Sequence, residues 1–378
     1  MSGAALRIGV DGRAFSSPAG GVRRYVWELY RTMPRVDPSA ELVAVGASDG
    51  DLPPGMERRG ALPFPTNLGW MAASIPLAVR GAGLTVYHAP AYTAPLWGVH
   101  PQVLTIHDVS YERRPEWNAY KDDRFRRLFY RRSAMAADRI VTDSAFSRAE
   151  ITAAYGIPED RISVVPLAAA EGFTPGDFVK TAAPSAAQQP YVLHVGDVHV
   201  RRNLTTALAA ILAARRGDAR CATLSLVCAG IDRGSGTALV TQAQAAGDPA
   251  SVTLLGLVSE DVLLNLYRGA SLLAYPSRYE GFGLPILEAM QCGIPVIGSR
   301  CASIPELIGD AGMLIDPLDI TAWRAAVVEV ITNSARRAAL SAASIARAAQ
   351  FSWTRTAGEM LAVFRQAAQA RTPPAEAS

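Results

Sequence analysis

The chain has 378 residues, 49% of them apolar and 19% charged, with a formal net charge of +3. That length exceeds what one hydrophobic core usually serves, so two domains are expected, and so small a net charge argues against a general nucleic-acid binder. The four cysteines (Cys221, Cys228, Cys292 and Cys301) form no C-x-x-C pair and have no histidine at zinc-finger spacing, which excludes a structural zinc.

Strands are expected in the first half at 6–10, 42–45, 84–88, 103–107, 139–142 and 162–165. The start of the chain runs straight into the first of these, without the basic start and apolar core of a signal peptide. Between strands lie helical patterns. The clearest has Val22, Tyr25, Val26, Leu29, Tyr30 and Met33 at three- and four-residue spacing, the mark of one buried helix face. The stretch 173–190 is rich in Pro, Ala, Gly and Gln and reads as a linker. Alternation then restarts, with strands at 191–195, 223–229, 252–255, 271–275, 295–298 and 313–315, and after Asp319 the chain is Ala-rich and helical. Strands alternating with helices imply parallel sheets covered on both faces, hence an α/β chain of two doubly wound domains. The expected divisions are a first domain at 1–175, a linker at 176–190, a second domain at 191–352, a helix at 353–371 free to pack back on the first domain, and a disordered tail at 372–378. Two such domains face each other across a cleft, and ligands of open α/β sheets sit outside the carboxyl ends of the strands. No apolar run reaches the ~20 residues of a membrane span, and scattered thiols suit a reducing compartment. A cytoplasmic protein is therefore expected.

Five constellations fall in such loops. In Glu280-Gly281-Phe282-Gly283-Leu284-Pro285-Ile-Leu-Glu288, two glycines allow a tight turn and Pro285 suits the first turn of a helix. The free amides of that turn form an anion site fit for a diphosphate. Glu280 is placed to accept from sugar hydroxyls, and Glu288, expected in the first helical turn, from a ribose diol. The other reading is a plain turn, with Glu288 only complementing the helix dipole. Arg201 and Arg202 follow the strand at 191–195 and are able to neutralise a diphosphate and its leaving charge; a solvated surface pair is the alternative. His107 ends the strand at 103–107, where it either meets a sugar or sits as a satisfied core histidine. Gly20 and Gly21 offer amides at a helix start, without the G-x-G-x-x-G of a dinucleotide site. The stretch 112–132 carries eight basic against four acidic residues with Phe125, Leu128 and Phe129 interleaved, a basic amphipathic helix for anionic lipid or a charged acceptor, or else a solvated face.

Together these features resemble the retaining GT-B glycosyltransferases of family 4 over about residues 6–365. The two glutamates Glu280 and Glu288, with Gly-Phe-Gly-Leu-Pro between them, are the most specific match. Arg201-Arg202-Asn203 resembles the family's R-K-N motif, with Arg202 where lysine is usual, which keeps the charge and changes the geometry. Ile106-His107-Asp108 resembles the active-site histidine motif, and Gly20-Gly21 with Arg24-Tyr25 the N-terminal glycine loop. Thr142-Asp-Ser144 and Val164-Val-Pro166 resemble further landmarks, although Leu167-Ala-Ala stands where Asn-Gly-Val is usual. The resemblance implies that Arg201 and Arg202 bind the donor diphosphate and that the amides of Gly281, Phe282, Gly283 and Leu284 hold phosphate and sugar. It further implies that Glu280 contacts the sugar, Glu288 the ribose and His107 the sugar from the other side, with Val258 bordering the nucleobase. It implies no metal and no cofactor beyond the nucleotide-sugar donor, with GDP-mannose expected ahead of UDP- or dTDP-sugars. No carboxylate is assigned as a nucleophile, and the resemblance implies front-face displacement instead. The acceptor, a glycan or a lipid-linked glycan, is set by first-domain loops such as 63–70 and 92–99. If the basic stretch meets anionic lipid, the protein is peripheral at the inner membrane face. A sugar-nucleotide epimerase and a non-catalytic nucleotide-sugar binder stay open as alternatives.

Overall fold

A computed structural model describes residues 6–17, 20–48, 50, 52–118, 123–180, 184–187 and 189–370. The expected disordered tail at 372–378 lies outside the described residues, as do Pro18 and Ala19 of the glycine loop and Lys121 of the basic stretch. The chain forms two compact units: Met1–Leu167 with Ser352–Ser378, and Ala168–Phe351.

Among the described residues, the first unit's sheet has seven strands: β1 (Arg7–Asp11), β2 (Glu41–Val45), β3 (Glu57–Arg59), β4 (Val86–Ala89), β5 (Gln102–Thr105), β6 (Arg139–Thr142) and β7 (Ile162–Val164). All pairs are parallel, in the order β3-β2-β1-β4-β5-β6-β7. The central strands are legible as apolar runs because both faces are buried. β3 was not expected. Glu57-Arg58-Arg59 carries no apolar signature because it is an edge strand, where charge is tolerated, and the Arg58 guanidinium bonds the carbonyls of Ala47, Ser48 and Gly50. β5 stops at Thr105, so His107 lies in the loop beyond the strand rather than at its end. The helix Gly20–Val36 buries Tyr25, Val26, Leu29, Tyr30 and Met33, most of the expected face. It packs against the helix Trp353–Gln369, where Trp353 meets Tyr25, and Thr356 Oγ1 donates to the Pro166 carbonyl at 2.7 Å.

The second unit's described strands are β8 (Tyr191–Val195), β9 (Ser225–Ala229), β10 (Val252–Gly256), β11 (Leu272–Tyr275), β12 (Val296–Ser299) and β13 (Met313–Ile315), all parallel in the order β10-β9-β8-β11-β12-β13. Its core gathers around the helices Leu204–Gly217 and Ile320–Thr332, with Trp323 fully buried.

Two expectations need correction. The expected division near residue 175 falls instead at 167/168, and the supposed linker is part of the second unit. Phe173 packs edge-on against Tyr267, Arg268 Nε donates to the Thr174 carbonyl at 3.1 Å, and the Asn265 amide brackets Val179 with bonds of 2.9 and 3.0 Å. Partners about 90 residues away hold this stretch, so its own composition carries no trace of them. The basic stretch is not one helix. Pro115 opens a short 3-10 turn after Ser110–Arg113, and only Arg124–Ala136 forms a long helix, capped by Asp123.

Candidate active site

In each sheet the strand order reverses once, between β8 and β11 in the second unit and between β1 and β4 in the first. Loops leaving the carboxyl ends of the two strands at such a reversal diverge and leave a crevice. The second unit puts the most specific motifs there: Arg201 and Arg202 follow β8, and Glu280 to Glu288 follow β11.

Local geometry turns Arg202 inward. After β8 the chain bends at Gly196, φ +121°, and enters the 3-10 turn Val200–Arg202. Asn203 then adopts a left-handed conformation, φ 52°, at a cost offset by its side-chain amide, which donates to the carbonyls of Pro276 (3.3 Å) and Pro317 (2.7 Å). Arg202 is buried with its Cζ 5.2 Å over the Tyr275 ring, its Nη1 donates to the Tyr275 hydroxyl at 2.5 Å, and it forms an ion pair with Glu280. Its Nε is buried and has no hydrogen-bond partner among the described residues. Burial pulls the guanidinium below its ordinary pKa, with Tyr275 opposing. The solvated-pair alternative therefore fails for Arg202. Arg201 is half-buried beside it, its carbonyl accepting from the Arg278 amide at 2.8 Å.

Glu280 is 5% exposed. Its loop is held by Ser303, whose Oγ lies 2.9 Å from the Glu280 carbonyl and 3.0 Å from that of Phe282. Gly281 and Phe282 lead to Gly283, which at φ +110° caps the helix Leu284–Gln291 in a conformation that a side chain would strain. Pro285 sits in the first turn, whose amides have no carbonyl four residues back and point at the loop. Glu288 corrects the expectation. It is the fifth residue of that helix, beyond the first turn, and is 2% exposed with its Oε2 accepting from the Tyr267 hydroxyl at 2.7 Å. A carboxylate so buried and bonded is not a dipole complement on the surface. Val258 lies half-buried in the loop after β10, two strands from β8 at the same carboxyl edge.

In the first unit, His107 is held by three neighbours. Its Nδ1 lies 2.8 Å from Asp143 Oδ2, its ring meets Tyr25 edge-on at 5.0 Å, and Tyr92 approaches at 6.1 Å. Burial lowers the imidazole pKa, but the Asp143 charge and hydrogen bond outweigh it and hold the value above the ordinary 6.5. Burial raises the Asp143 carboxyl as well, with His107 opposing. His107 Nε2 makes no well-formed hydrogen bond; the Pro90 carbonyl is a weak neighbour that favours the protonated ring. Asp143, Tyr275 and Tyr267 were not picked out as site residues, although Asp143 has a signal: β5 and β6 pair with Thr105 opposite Val141, so 107 and 143, two residues further on in each case, fall opposite each other just past the strand ends. Gly20 and Gly21 open the helix Gly20–Val36. A Cβ at either would meet nothing within 4 Å, so packing among the described residues does not require glycine there. Among the described residues, no group of three or more His, Cys, Asp or Glu is placed to hold a metal.

Two doubly wound parallel sheets of this order, with the arginine and glutamate motifs at the second sheet's reversal, have the architecture of the GT-B glycosyltransferases. Residues 19–169 match the model of Glycosyltransferase Family 4 and residues 189–333 that of Glycosyl transferases group 1. O-antigen chain mannosyltransferase B of Escherichia coli is 33% identical over 273 residues, 71% of this chain and 71% of that protein. A D-inositol 3-phosphate glycosyltransferase of Mycolicibacterium smegmatis is also 33% identical, over 61% of this chain and only 53% of its own length. Among solved structures, a sucrose-phosphate synthase from Thermosynechococcus elongatus superposes with a TM-score of 0.75 at 20% identity, covering 97% of this chain and 100% of that one. Anabaena HepE, solved with UDP and glucose, gives 0.69 at 18% identity, covering 96% and 100%. The chain belongs to the family 4, group 1 glycosyltransferases, enzymes that transfer a sugar from a nucleotide sugar.

Proposed function

We propose that this enzyme transfers a mannosyl group from GDP-mannose to a hydroxyl of a glycan or lipid-linked glycan, with retention and without a metal ion. The observation that carries the reading is the buried Arg202–Glu280 pair beside the amino end of the helix Leu284–Gln291. Breaking the anomeric bond leaves a diphosphate anion. Arg202 with its unpartnered Nε, Arg201, and the amides of Gly281 to Leu284 form a fixed positive environment for that anion. Gly20 and Gly21 add amides toward the donor, Glu288 takes the ribose, Val258 borders the base and His107 contacts the sugar. Glu280 accepts from sugar hydroxyls. Its charge is matched by Arg202, which makes it a poor nucleophile, and this favours front-face displacement in which the departing phosphate takes the acceptor's proton. Mannose and a polysaccharide acceptor are supported by the O-antigen mannosyltransferase, and by a serotype-specific mannosyltransferase of Escherichia coli 40% identical over 102 residues, which is 27% of this chain and 12% of that protein.

A thermal-shift panel of GDP-mannose, UDP-glucose, dTDP-glucose and ADP-glucose tests the donor, since a ligand of the native state alone stabilises by about 2.7 kcal/mol at a hundred times Kd. GDP-mannose is expected to raise Tm most; a larger rise with another nucleotide overturns the donor assignment. Release of GDP only when acceptor is added separates transfer from epimerisation and from simple binding.

We further propose that the helix Arg124–Ala136 makes a peripheral membrane contact. Phe125 (64% exposed), Leu128 (51%) and Met135 (53%) share a stripe with the exposed Arg124, Arg131 and Arg132, a pattern suited to an anionic lipid surface. No helix among the described residues is long and apolar enough to cross a membrane. At about 1 kcal/mol per cation near the surface, the protein is expected to pellet with phosphatidylglycerol vesicles at low salt and not with neutral ones. Failure to pellet with the anionic vesicles removes this contact.

A further inference from the structure

The strands of the first sheet all run the same way, so their amino ends share one edge, opposite the edge that carries His107. At that amino edge, where the chain enters β4 and β5, a cavity of about 610 Å³ lies within the first unit. Its size falls in the usual range of small-molecule pockets, about 300–1,000 Å³. One wall is helical and brings Ala73, Pro76 and Leu77; the approach to β4 brings Leu84, and the approach to β5 brings Trp97. The helical wall and the approach to β5 meet, since a Cβ on Gly98 would stand 3.5 Å from Pro76 Cβ. Leu77 is 52% and Trp97 54% exposed. No carboxylate lines the cavity. Its one guanidinium is that of Arg80, exposed just past the helix Ile75–Val79. Arg59 Nη2 donates to the Arg80 carbonyl at 3.2 Å and fixes the turn that presents it. The cavity also adjoins the helix Arg124–Ala136. His100 lines the cavity, and its Nδ1 lies 2.8 Å from Oδ2 of Asp138, two residues past that helix. Gln102 Nε2 donates to the Ala136 carbonyl at 3.2 Å, so the exposed apolar stripe that ends at Met135 stops beside the cavity.

We propose that this cavity takes one acyl chain of an anionic phospholipid, with the headgroup phosphate on Arg80. The site lies on the edge away from the donor and sugar residues, and it deepens the membrane contact proposed above by naming what is bound. An alkyl chain gains from apolar walls and asks no hydrogen bond of them, whereas a sugar would leave its hydroxyls unmatched there. The guanidinium answers the phosphate, and an indole such as that of Trp97 suits the level of the lipid headgroups. A captured chain adds a second point of attachment to the basic helix, and two anchors hold a protein at a membrane where one binds only reversibly.

The test titrates the full chain with monomeric lysophosphatidylglycerol, below its micelle concentration, and follows tryptophan fluorescence and Tm. One lipid per chain is expected to bind saturably, with a rise in Tm and a blue shift that Trp97→Phe loses. Glycerophosphoglycerol, the same headgroup without its chain, is expected not to bind. Arg80→Glu is expected to weaken the lipid about tenfold by reversing the charge at the headgroup. Leu77→Asp is expected to weaken it about tenfold or more by setting a carboxylate against the chain. Both side chains are exposed, so the fold tolerates the changes, and the donor-induced rise in Tm is expected to persist in both variants. Absence of saturable binding overturns the proposal, as does equal binding by the wild type and the two variants, or binding of the headgroup alone. A dimer in sedimentation that Leu77→Asp dissociates would give the cavity to a second copy of this chain and overturn it as well. Vesicle pelleting reads the helix Arg124–Ala136, the monomer titration reads the cavity and the nucleotide-sugar thermal shifts read the donor site, so each reading fails on its own result.

Discussion

Arg202→Met is expected to lower kcat by about 10²–10³-fold, the usual loss when one preorganised charge-stabilising donor is removed. It is also expected to destabilise the protein, because Glu280 is left buried without its cation, and breaking a buried pair from one side costs about 3–5 kcal/mol. The two effects have different origins and can be separated. In Arg202→Met/Glu280→Gln no charge stays buried, so denaturant unfolding should recover most of the lost stability while kcat stays low. Arg202→Lys keeps a charge near Glu280 but not the planar fork over Tyr275, and a milder loss of about tenfold is expected. Near-normal turnover in Arg202→Met, or recovery of turnover in the double variant, would remove Arg202 from the leaving-group site.

How far the site is legible depends on where each contact partner lies in the chain. β8 and β11 read as strands because their residues are buried on both faces, and the loops after them could be ranked by residue type alone. That Arg202 turns inward could not be read, since it depends on the left-handed Asn203 bonding to Pro276 and Pro317, 73 and 114 residues away. Without those bonds, two adjacent arginines look like any solvated pair. Glu288 was placed one turn too early because Leu284 and Pro285 do not reveal where the helix begins until Gly283 is seen at positive φ. The segment after Leu167 looked like a linker for a related reason: its large apolar anchors are only Phe173 and Phe178, and the partners that hold it, Tyr267, Gly269, Asn265 and Arg268, belong to a distant helix. Asp143 is the opposite case. An acidic residue one step past β6 was in plain view, and the parallel register that brings it to His107 follows once β5 and β6 are known to be neighbours.

Asp143→Asn is the second substitution with a large expected effect, and it reads out on pH. In the neutral ring, a proton on Nδ1 donated to Asp143 leaves Nε2 to accept from a sugar hydroxyl, so kcat/KM should rise with pH through the His107 value. Burial lowers that value, and Asp143 and Asp108 outweigh it and hold it above 6.5. His88, buried nearby and pushed down to about 3, does not titrate in this range. An asparagine offers a donor as readily as an acceptor, so it neither favours the Nδ1 proton nor supports the charged ring. The rising limb should then move to lower pH, and its plateau should fall by about 10²-fold. Stability carries the same signature. A histidine with a raised folded pKa contributes stability that is complete below its unfolded value near 6.5 and is lost as pH rises through the folded value. The raised Asp143 carboxyl has the same sign, its contribution also falling as pH rises above about 3.8. The wild-type Tm should therefore drop more between pH 6 and pH 8 than that of His107→Gln, with the rate limb and the stability loss centred on one pH. A limb that stays in place in Asp143→Asn would belong to some other group, and His107 would then be a packed ring rather than a sugar contact.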